Sequence, residues 1–99
     1  MNPDEVSVSI TLLELPPPRA LTRLRRELGL PLSEVQRRVE AREPLVLETL
    51  FGNDHLEVAR RLTAVLDLVE GHDHEVRELV GAEADRIDAD TLRNILTAP

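Results

Sequence analysis

The stretch LGLPLSEVQRRVE, residues 28–40, decides the fold. Leu28 closes an apolar helical stripe, and Gly29 stands where a helix ends, since glycine enters the left-handed region without steric cost. Ser33 with Gln36 three residues on has the form of a capping box, which predicts a second helix beginning there. The adjacent Arg37 and Arg38 give the pair the look of a DNA-reading helix-turn-helix, but such a pair also suits a protein-binding module. The flanking segments choose between the two.

Upstream, Val6, Val8, Ile10 and Leu12 alternate with Ser7, Ser9 and Thr11, the period of a half-buried strand over 5–13. The prolines at 16–18 stop it, and Pro18 suits the first turn of a helix over 18–28, whose Ala20, Leu21, Leu24 and Leu28 share one face. Downstream, Pro44 ends the second helix near 42. PLVLETLFG then reads as a strand, with Leu45, Leu47 and Thr49 on one face and Val46, Glu48 and Leu50 on the other. A third helix is predicted over 54–69, opened by an Asp54–Glu57 capping box, built on Val58, Leu62, Val65, Leu66 and Val69, and ended by Gly71. HEVREL reads as a short third strand with Val76 facing inward, GAEAD as a polar linker, and Asp88 as the cap of a last helix over 89–97. The order strand-helix-helix-strand-helix-strand predicts an α+β fold: a small three-stranded sheet with helices packed on one face, plus an extra C-terminal helix. Residues 1–80 are the expected domain, and 81–99 a linker and helix packing on it or extending it.

Composition narrows the function. Ninety-nine residues suit one core, and 41% hydrophobic with 31% charged residues is an ordinary globular balance. No cysteine is present, which excludes disulfides and thiolate chemistry. No apolar run reaches the length of a membrane span, and MNPDEVSVSI lacks the order of a signal peptide, so a cytoplasmic location is expected. The net charge of −7 is unevenly spread: residues 19–42 hold seven arginines against Glu27, Glu34 and Glu40, while acids dominate on both sides. A basic patch on an acidic domain favours docking to an acidic partner through that face.

Catalysis finds no support. GHDHE at 71–75 offers His72, Asp73, His74 and Glu75, but a metal site needs three or four converging groups, and His55 belongs to the other end of the third helix. A solvated turn without metal is expected there. Ser7, Ser9 and Ser33 sit on a strand or at a helix start, with no nucleophile elbow and no phosphate-binding glycine loop. The chain is therefore read as a non-enzyme without cofactor. A nucleic-acid-binding role for residues 19–42, as a helix-turn-helix-like basic element, is the alternative. Against it stand the flanking strands, the overall acidity, and Phe51 as the only aromatic ring.

Residues 6–80, centred on LRRELGLPLSEVQRRVEAREP, resemble the C-terminal domain of the bacterial ribosomal stalk protein, the large-subunit protein that recruits translational GTPases; the Clp protease adaptor is similar in fold. The resemblance implies a partner-binding face that includes Arg25, Leu32 and Glu34. Thr22 and Gln36 stand where that family has lysines, and Pro31 replaces the second glycine of its turn, which implies a diverged, stand-alone relative. Combined with the charge pattern, the expected partner-binding residues are Arg23, Arg25, Leu32, Glu34, Arg37 and Arg38, docking another protein with acidic and apolar surface in a translation-linked, regulatory or immunity role. A homodimer through the C-terminal helix is a further expectation.

Overall fold

The computed structural model describes residues 5–97. Strand β1 (Val6–Leu12) leads into helices α1 (Pro18–Leu28) and α2 (Leu32–Ala41), then strand β2 (Val46–Thr49), helix α3 (His55–Val69), strands β3 (His74–Val80) and β4 (Glu83–Ile87), and helix α4 (Ala89–Thr97). The fold class is α+β. The strands form one antiparallel sheet in the order β2-β1-β3-β4, which puts β1 between β2 and β3.

That sheet has four strands where the sequence pattern predicts three. The extra strand comes from residues read as a polar linker. Gly81, at φ 60, takes the first position of a two-residue turn, and Val80 then pairs with Glu83 and Val76 with Ile87. A glycine of positive φ followed by a residue without one is the signature of a type II′ hairpin turn. Strand β4 escapes a search for alternation because it is an edge strand with only Ala84 and Ile87 as apolar residues, and its charges discourage pairing with other chains. Replacing Gly81 by valine forces a β-branched residue into the left-handed region. We expect a loss of about 1–2 kcal/mol, read as a lower thermal midpoint with an unchanged circular dichroism spectrum in the cold.

Alternation along β1 does what its pattern requires. Val8, Ile10 and Leu12 are fully buried and share one core with Leu24, Val35, Leu62, Val65 and Leu66 of the helices and Val76 of β3. Helix α1 opens on Pro17 and Pro18 and closes on Gly29 at φ 67, whose N–H donates to the Arg25 carbonyl over 2.8 Å. Helix α2 begins at Leu32, one residue before the predicted start. Pro31 is its N-cap at φ −71, and Ser33 makes no capping bond because it already lies inside the first turn. Asp54 is likewise an N-cap without a side-chain bond. Asp88, by contrast, accepts from the Thr91 N–H at 2.7 Å, and hydrogen bonding from Thr91, its side chain first and then its backbone, lowers the Asp88 carboxyl pKa. Helix α4 packs on α3 and sends Leu92 and Leu96 into the common core, so its apolar stripe is used within its own chain.

Candidate functional site

Charge availability on the first two helices separates their arginines into two groups. On α2, Glu34 accepts from Arg37 through Nε at 3.1 Å and Nη2 at 2.8 Å, and from Arg38 through Nε at 2.9 Å. These pairs are the i, i+3 and i, i+4 neighbours of a helix. Arg37 also meets Glu43 at 2.9 Å, and Arg38 donates to the Leu45 carbonyl at 3.1 Å, tying α2 to the start of β2. The two arginines that suggest DNA reading are thus neutralised from within the chain.

This network has a pH signature. Hydrogen bonds from Arg37 and Arg38 hold the Glu34 carboxyl at a pKa of about 2, below its ordinary value of 4.5. Because the folded value is depressed, the contribution is complete above pH 4.5 and disappears as the pH falls through about 2. A Glu34→Gln variant should therefore lose less thermal stability than the parent chain when both are melted at about pH 5 and about pH 2. Equal losses would show that the Glu34 network does not persist in solution.

Helix α1 is arranged differently. Leu21 and Leu24 are buried, and Arg19, Arg23 and Arg26 follow each other at i, i+4 and i+7 on the opposite, exposed side. None of the three has a carboxylate partner among the described residues. The acids nearest by fold are already engaged: Glu27 pairs with Arg60 at 3.6 Å, while Asp67 and Glu70 pair with Arg93 at 2.6 and 2.9 Å. Thr22 does not extend the ridge outward, since its hydroxyl donates to the Pro18 carbonyl at 2.9 Å. The result is a basic ridge without direct ion pairs among the described residues, flanked across a cleft by Asp67 and Glu70, on a chain of net charge −7.

The expected partner-binding residues are distributed accordingly. Arg23 lies on the ridge. Arg25 is half-buried, with its Nε enclosed and without a partner among the described residues. Leu32 is 37% exposed at the start of α2, just across the Gly29–Pro31 turn from the end of the ridge. Arg37 and Arg38 are both bound to Glu34. Arg19 and Arg26, absent from the sequence-based set, complete the ridge. Their spacing opposite Leu21, Leu24 and Leu28 is the signal that could have found them.

At the GHDHE turn, the Asp73 N–H donates to Glu14 Oε1 at 2.9 Å, and His74 Nδ1 lies 2.8 Å from the His72 carbonyl. Among the described residues no three histidine or acidic side chains are placed to hold a metal ion, and no helix is long and apolar enough to cross a membrane. No family model matches the chain, and no curated protein or solved structure matches it either.

Proposed function

We propose that this protein is a non-enzymatic docking module of the cytoplasm, a diverged relative of the ribosomal-stalk C-terminal domain, that binds an acidic protein surface through α1. The carrying observation is the ridge of Arg19, Arg23 and Arg26, exposed and without carboxylate partners among the described residues. Arginine suits this task because its planar fork pairs with carboxylates in two-point contacts. A ridge of one sign also steers an oppositely charged partner during encounter. Leu32 supplies an apolar contact at the end of the ridge, where desolvation adds to binding. The internal pairing of Arg37 and Arg38 moves the weight of the interface from α2 to α1.

The test is affinity capture with the tagged full chain from its native cells, with bound material eluted by stepwise salt. The proposal expects a protein partner with an acidic surface that leaves at moderate salt. Ribosomes or translation factors would place the module at the translation machinery, and one dedicated protein would indicate a regulatory or immunity role. Capture of nucleic acid alone would refute the proposal in favour of the helix-turn-helix reading.

A further inference from the structure

We infer that the face of the sheet turned away from the helices is a second docking surface, shaped to receive an acidic amphipathic helix of a partner protein. This goes beyond the α1 reading, because it concerns the other side of the molecule.

The register defines the surface. Ser9 of β1 stands between Leu47 of β2 and Arg77 of β3, Ser7 stands beside Leu79, and Arg77 faces Arg86 of β4. The central strand thus presents the small Ser7, Ser9 and Thr11, and its neighbours present long side chains. A trough of about 400 Å³ follows, with Ser9 only 5% exposed at its floor and Leu47 59% exposed on its wall. Leu13 and Leu79 add apolar lining, and among the described residues no helix covers it.

Charge indicates the sign of what fits. Arg77 and Arg86 are directly opposed across the β3–β4 ladder, an arrangement that is unfavourable unless an anion lies nearby. Glu75 pairs with Arg77, but Arg86 has no carboxylate partner among the described residues. Arg42 lines the trough at its Leu13 end, likewise without an ion-pair partner among the described residues. Its backbone sits at φ 56, a left-handed conformation that glycine would occupy with less strain. Glu5, hydrogen-bonded by Thr49, is at the opposite end.

Backbone satisfaction selects a helix over an extended peptide. Strand β1 spends its N–H and C=O groups on β2 and β3, so an extended chain laid on this face would find no partners for its own. A helix satisfies its backbone internally. The gap between β2 and β3, two strand spacings or roughly 10 Å, is the diameter of a helix. Two copies of this chain do not suit the face, since Arg77 and Arg86 stand midway along it and would meet like charges. Nucleic acid lacks the apolar groups that Leu13, Leu47 and Leu79 would bury, and none of the lining residues is an aromatic ring on which a base could stack.

The test is a titration of the ¹⁵N-labelled full chain with a synthetic helix of about 16 residues, as long as the seven-residue β1. Leucines occupy the i, i+3, i+4, i+7 positions and glutamates the rest. Controls are the same peptide with lysine for glutamate, and an oligonucleotide of equal charge. Amide shifts centred on Ser9, Thr11, Leu47 and Arg77 are expected with the glutamate peptide alone. Arg42→Gly and Arg86→Glu should each weaken binding roughly five- to tenfold. Both variants should melt at or above the parent temperature, because one relieves a positive φ and the other an opposed arginine pair. Shifts confined to α1 would overturn this inference and leave the α1 proposal standing. No shifts up to about 1 mM peptide, or equal shifts with the lysine peptide or the oligonucleotide, would also overturn it.

Discussion

Replacing Leu92 by alanine is expected to cost about 2–5 kcal/mol and to lower Tm by roughly 10–30 °C, among the largest effects of any single substitution in this chain. Leu92 is fully buried although it belongs to a nine-residue helix at the end of the chain. Its side chain is part of the same cluster as Leu62, Val65 and Leu66 of α3. Truncating it leaves a cavity between two helices that are also tied by Arg93 to Asp67 and Glu70, which limits how far they can close on it. A chain ending at Val80 goes further: it removes β4, leaves β3 as a bare edge, and takes both Leu92 and Leu96 out of the core. With total stability for a domain of this size about 5–15 kcal/mol, the shortened chain is expected not to fold cooperatively. Calorimetry reads both outcomes, and a sharp transition in the shortened chain would show that α4 is only an accessory.

The second large effect concerns binding. Reversing Arg19, Arg23 and Arg26 together to glutamate should weaken the captured partner by roughly 100-fold or more, mostly by slowing association, while leaving the fold intact. The fold is spared because these residues face away from Leu21 and Leu24 and make no ion pairs among the described residues. Surface plasmon resonance at two salt concentrations measures it. The parent should show a steep salt dependence, and the triple variant a flat one. An unchanged affinity would remove α1 from the interface.

Much of the fold was legible because local chemistry and long-range packing agree. Pro18 and Gly29 delimit α1, Asp88 starts α4, and the Val8–Ile10–Leu12 alternation gives β1 its buried face. Strand β4 was not legible, since an edge strand needs few apolar residues and Glu83–Ile87 carries only Ala84 and Ile87. Its one sequence signal is the Gly81–Ala82 turn, which acquires meaning only once Val80 and Glu83 are known to pair. At the candidate site, the arginine content of residues 19–42 was visible, but its availability was not. That Glu34 holds both Arg37 and Arg38 follows from helical spacing combined with a rotamer. The Arg37–Glu43 and Arg38–Leu45 contacts depend on how the chain turns after α2. The Arg19–Arg23–Arg26 ridge, by contrast, was legible from its spacing opposite the Leu21–Leu24–Leu28 stripe.

Arginine footprinting tests the docking face most directly. The full chain, alone and bound to its captured partner, is treated briefly with phenylglyoxal, and the modification of each arginine is read by mass spectrometry. Arg19, Arg23 and Arg26 should react in the free chain and be protected in the complex, with Arg37 and Arg38 nearly unchanged between the two states. Equal labelling of the three α1 arginines with and without the partner would contradict docking through α1.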